Sequence, residues 1–178
     1  MELVVGDGKK HFFLKSYPLG GARLTDHFLK KDPPTPKQLR RLEQYLEKTL
    51  TPVANKLDPW NIATVIGTAG TMINLASMVY ESETSKHLKL KRYYALERWG
   101  LEKVHERLAE MPLKKRLNFP GLDSRRADII IAGSVLVRVL MRLFRMNRIL
   151  VSKKGIREGM VLDFIARNRK SLSRRHKW

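Results

Sequence analysis

Residues 65–76, VIGTAGTMINLA, join a short apolar run to a helical apolar pattern through Gly-Thr-Ala-Gly-Thr, and this junction constrains the fold more than any other stretch. Two glycines three residues apart make a sharp turn, and the helix start behind them presents free N–H groups where a ligand can come close. Strand, glycine turn and helix in that order belong to layered α/β folds. The loop serves either as a phosphate cradle or as a plain turn. It has neither the Gly-Lys-Ser/Thr of a P-loop nor the G-x-G-x-x-G of a dinucleotide site.

The remaining elements fit around that unit. Residues 2–5 and 10–17 are two β-prone runs about Gly6-Asp7-Gly8 and read as a hairpin. Ala22, Leu24, Phe28 and Leu29 mark a short helix that Pro33-Pro34 ends. Thr35-Pro36 is an N-cap with proline in the first helical position, and Leu39, Leu42, Leu46, Leu50 and Val53 form one apolar stripe behind it. Pro52 is expected to kink or cut that helix. Residues 62–66 read as a buried strand, 71–80 as the helix after the glycine loop, 81–91 as a polar connection and 101–111 as a helix. A loop at Pro120-Gly121 leads to a mostly buried helix over 124–144, whose Ala132-Gly133-Ser134 step is small enough to let another backbone approach. Residues 148–151 read as a strand and 156–165 as a last helix.

With 178 residues, 43% of them hydrophobic, the chain is sized for one domain with a real core. It has no cysteine, so disulfides and thiolate metal sites are excluded and a cytoplasmic setting is expected. No segment reads as a signal peptide or a membrane span. Its 36 Lys+Arg against 17 Asp+Glu give a net +19, which points to a polyanionic partner. The positive charge concentrates in the second half, in residues 138–157 and in the tail RNRKSLSRRHKW from Arg167. The five histidines show no paired spacing for zinc, and Ser16, Ser77 and Ser134 lack the G-x-S-x-G setting of a serine hydrolase.

Four motifs in order, SYPLGGARLTDHF (16–28), VIGTAGT (65–71), PGLDSRRADIIIAGSVL (120–136) and VSKKGIREGMVLDF (151–164), resemble the exopolyphosphatase/guanosine pentaphosphate phosphatase (Ppx/GppA) family across nearly the whole chain. The resemblance implies a ribonuclease-H-like α/β domain, akin to actin, sugar kinases and heat-shock chaperone ATPases. In that family two such domains enclose phosphate, and terminal phosphoanhydrides of polyphosphate or guanosine pentaphosphate are hydrolysed with Mg2+. Residues 1–166 correspond to the second domain, incomplete at its N-terminus, and 167–178 to a basic tail. Glu2 stands where the family has the glutamate of Asp-Ile-Gly-Gly-Gly-Ser-x-Glu. The preceding strand and the first domain, with its catalytic carboxylate, are expected outside this chain, which is expected to be inactive alone.

By the same resemblance Gly67, Thr68, Gly70 and Thr71 are the phosphate loop, Arg23 a phosphate contact and Glu2 a magnesium ligand. The catalytic residue is left unassigned. Arg126 and Asp128 read as a buried pair or helix-start contacts, with catalysis as the alternative, and Arg157-Glu158 as an ion pair or cap. Expected partners are polyphosphate or guanosine pentaphosphate, a first domain supplied in cis or trans, and a second copy in a homodimer, with no membrane. The alternative function is a basic nucleic-acid-binding protein that uses residues 138–157 and the tail, although spaced stacking aromatics are missing.

Overall fold

The computed structural model describes residues 1–8, 10–90 and 92–174, with side chains to Asn168. Its N-terminal hairpin pairs β1 (Glu2–Gly6) with β2 (His11–Ser16), antiparallel, with Val4 opposite Leu14 and an irregularity between Val5 and Gly6. Period-two alternation divides its side chains. Leu3, Val5 and Phe13 turn toward the helices, while Val4 and Leu14 are exposed.

Two helices follow, α1 (Gly21–Phe28) and α2 (Pro36–Leu57). Thr35 starts α2 with a capping box: its Oγ1 accepts from Gln38 N–H at 3.3 Å, and Gln38 Oε1 accepts from Thr35 N–H at 3.0 Å. Leu42, Leu46 and Leu50 on its apolar stripe are fully buried. Pro52 does not cut the helix, one of the two outcomes expected of it. Proline has no N–H for the Lys48 carbonyl, but both residues are exposed, so that carbonyl is open to solvent while the apolar stripe stays buried.

The second sheet has the order β3 (Ile66–Gly67), β5 (Arg148–Ser152), β4 (Tyr93–Glu97). β3 lies parallel to β5, and β4 antiparallel to it. One expectation needs correction here. The strand read over 62–66 is two residues long, and Ile66 is 54% exposed instead of buried, because only Val65 to Gly67 come into register with β5. β4 was not foreseen. The hairpin forms a two-stranded sheet of its own, separate from that of β3.

Between the strands run α3 (Gly70–Thr84), which extends into the stretch read as a polar connection, α4 (Arg98–Ala109), the single turn α5 (Leu113–Arg116) and α6 (Ile130–Leu143), and α7 (Ile156–Arg174) follows the last strand. The helix expected from residue 124 starts at Ile130, since Ser124–Arg126 form a separate 3-10 turn capped by Asp123. The basic stretch from Arg167 continues α7 to Arg174, and residues 175–178 lie outside the described residues. α6 is the central helix, buried on most sides and charged only at Arg138 and Arg142. Val135, Leu136 and Val139 face α2 and the hairpin, while Ile131, Val137 and Met141 face α3, α4 and the second sheet.

Across α6 the charged groups form ties instead of a free basic face. Arg138 bonds Glu102 on α4 and Glu43 on α2, and Arg142 pairs with Glu47. His105, on α4, is 5% exposed and lies 2.8 Å from Ser134 Oγ. The Ser134 hydroxyl donates to the Ile131 carbonyl, so the Nδ1–H of a neutral imidazole supplies the proton between them.

Candidate functional site

The glycine loop has a specific local cause at each position. Gly67 is wedged between Met72 and Ile149: a Cβ there would lie 2.6 Å from Met72 Cε. Thr68 is exposed and packs beside Gly155, just before α7. Ala69, the residue before α3, holds φ 78° and ψ 172°, a region that only glycine enters without strain. Thr71 turns inward, with its methyl against Gly133 of α6. What comes close at Gly133 is therefore a side chain, that of the loop's own last threonine, and not the backbone expected at Ala132-Gly133-Ser134.

α3 opens on this loop without a side-chain cap. The N–H groups of its first turn thus have no side-chain acceptor and concentrate positive potential at the mouth of the loop. The Arg126 guanidinium lies directly over Gly70. A Cβ at Gly70 would sit 2.1 Å from one of its terminal nitrogens, so only glycine accommodates it. Arg126 is half-buried, and no carboxylate among the described residues lies within ion-pair distance of it. The expected pairing with Asp128 is absent among the described residues; the arginine has turned toward the loop instead. Beside it Asp123, Arg125, Arg126 and Ile129 line a shallow pocket of about 310 Å³. Asp123 is occupied by Arg125 through both side-chain oxygens, and those bonds hold its carboxyl below the usual carboxylate range. The unpaired cation facing the loop is Arg126.

The other predicted residues lie elsewhere. Arg23 is exposed on the first turn of α1, with no bond to the loop among the described residues. Glu2 is exposed at the start of β1, 3.4 Å from Ser16 Oγ and 4.0 Å from the amino terminus. Glu2 alone does not fit a magnesium site: no three metal-ligating side chains gather anywhere among the described residues. Glu158 acts as the cap foreseen for it. Its Oε2 accepts from Gly155 N–H at 2.7 Å, and that bond holds its carboxyl low. No helix among the described residues is long and apolar enough to cross a membrane.

Two residues the sequence reading did not connect complete the site. Of the roles open to Arg126 the pair with Asp128 does not form among the described residues, and Asn74 is not singled out by the sequence reading. Asn74 is the one carboxamide inside the mostly apolar run MINLASMV, whose other polar residue is Ser77, and that contrast is the available signal.

Known proteins agree with this architecture. The chain is 28% identical to exopolyphosphatase 2 of Mycobacterium tuberculosis, over 91% of its own length and 51% of that protein's. It is 26% identical to exopolyphosphatase 1 of Mycobacterium leprae, over 91% and 48%. The crystal structure of the Aquifex aeolicus member of the Ppx/GppA family superposes with a TM-score of 0.83 at 28% identity, covering 94% of this chain and 53% of that one. The chain thus spans about half the length of the relatives it matches. The fold is the actin-like ATPase fold of these structural neighbours. The profile of the Ppx/GppA phosphatase family matches residues 1–168, and the chain belongs to that family.

Proposed function

We propose that this chain is the phosphate-gripping part of an enzyme that hydrolyses terminal phosphoanhydride bonds of polyphosphate or guanosine pentaphosphate. The observation that carries this reading is the Arg126 guanidinium lying unpaired over Gly70 at the uncapped start of α3. Phosphoryl transfer needs charge stabilisation and alignment more than covalent chemistry from the protein. A planar guanidinium and backbone N–H groups supply both, because each donates to phosphate oxygens in fixed directions.

In this reading Gly67, Thr68, Gly70 and Thr71 shape the loop, with Thr71 acting through its packing on Gly133, and Arg23 contributes from α1. Glu2 reaches a magnesium ion only alongside carboxylates from outside this chain, and the attacking water is activated there too. The partner is a first domain of the same family, in cis or trans. Binding of nucleic acid through residues 138–157 finds less support, since Arg138 and Arg142 already bond carboxylates of α2 and α4.

The test is phosphate release from long-chain polyphosphate with magnesium, by the chain alone and with a first Ppx/GppA domain supplied. Release only in the reconstituted pair is expected, and Arg126→Ala should reduce it at least about a hundredfold. No release from the pair, alongside tight and salt-sensitive binding to nucleic acid, would sink the proposal.

A further inference from the structure

Arg126 rides on the single 3-10 turn Ser124–Arg126, and side chains from other elements grip that turn at both ends. At its leading end Asn74 of α3, 8% exposed, accepts the Asp123 N–H on Oδ1 at 2.6 Å. The same carboxamide donates from Nδ2 to the Gly70 carbonyl at 2.9 Å. At the trailing end Arg116, 3% exposed, donates from Nε to the Ala127 carbonyl at 2.9 Å. Arg116 is anchored in turn by Asp32 at 2.8 Å and by the Met111 carbonyl.

We infer that Asn74 is a positioning residue for the anion grip, because one carboxamide joins Gly70, on which the guanidinium rests, to the turn that carries the guanidinium. The inference rests on the phosphate-binding reading above. Two features separate this role from ordinary helix stabilisation. The Gly70 carbonyl is four residues before Asn74 and is already the acceptor position for Asn74's own backbone N–H, so the side-chain bond is additional to the helix ladder. The Asp123 N–H belongs to a segment 49 residues away, so the other bond fixes where two elements meet. Only a neutral amide does both. A carboxylate has no proton for Gly70 and would set a negative charge beside an anion, while an isosteric leucine makes neither bond. Alignment matters here because a guanidinium a fraction of an ångström out of place loses its directed bonds to phosphate.

The probe is tripolyphosphate, titrated calorimetrically into the full chain at moderate salt. It is paired with the arginine Nε–Hε resonances in NMR, that of Arg126 being identified by its loss in Arg126→Lys. Asn74→Leu is expected to weaken binding about five- to tenfold, the scale of one to two hydrogen bonds of alignment. It should also displace the Arg126 resonance in the free protein, well below the melting temperature. Should the leucine variant fail to fold, Asn74→Asp keeps the acceptor for Asp123 and is expected to weaken binding at least as much. If Arg126→Ala weakens binding while the Asn74 variants leave both affinity and resonance unchanged, the positioning role is overturned and the phosphate reading stands. If Arg126→Ala has no effect on tripolyphosphate, the phosphate reading fails and the inference goes with it.

Discussion

Two glycines touching the loop differ in what a methyl group would meet, and the difference separates function from stability. At Gly70 the nearest atoms are the far end of the Arg126 side chain, which can swing away into solvent. Gly70→Ala is therefore expected to leave the melting temperature nearly unchanged, helped by alanine's better helix propensity, while tripolyphosphate affinity falls as it does in Arg126→Ala. At Gly133 the methyl would lie 2.6 Å from the Thr71 methyl inside the core. Gly133→Ala should cost about 1–3 kcal/mol by overpacking, read by urea denaturation, and should disturb the loop only as Thr71 is displaced. If both variants lose affinity and stability in proportion, Arg126 has no separate role at Gly70.

At the scale of elements, the contact between α4 and α6 makes the fold sensitive to acid. Burial of His105, and then the Arg138 guanidinium on α6, push its imidazole down to about 3. The carboxylates Glu43 and Glu102 are themselves bonded to Arg138, so they do not reverse that direction. A group whose folded pKa is depressed takes its proton more readily in the unfolded chain. Stability is full above about pH 6.5 and declines as pH falls toward 3, by up to about 1.4 kcal/mol per unit. His105→Asn, which keeps a donor near Ser134 Oγ, should flatten that decline in unfolding curves taken between pH 7 and about 4.5. An unchanged slope would mean that other groups set it.

The sequence reading served well where a pattern is local. The stripe from Leu39 to Val53 and the Thr35 cap predicted α2 because a helix buries what its own period lines up. Pro52 left two outcomes open because exposure, which decides whether a missing N–H matters, is a tertiary fact. β4 stayed hidden since YYALE runs straight into a helix and acquires its strand character by pairing with β5. The loop residues were legible as punctuation plus family resemblance. The Arg126 contact with Gly70 was not, because it joins segments more than fifty residues apart through a turn that no periodicity announces.

At the scale of the whole molecule, the proposed function implies that the charge excess of +19 draws polyanions near without choosing among them. Selection falls to the few cations that the fold leaves unpaired at a shaped place. The topology also orders events in time. β5 is the middle of its sheet, yet it comes last of the three strands in the chain, after β3 and β4 have passed with no partner of their own. A nascent chain on the ribosome can thus settle its hairpin and α2 early, but the sheet behind the glycine loop waits until residue 152 clears the exit tunnel. Arrest-peptide fusions stepped along residues 100–174 should report folding force only once β5 is outside. Force appearing while β5 is still enclosed would show that the loop is shaped by its helices alone.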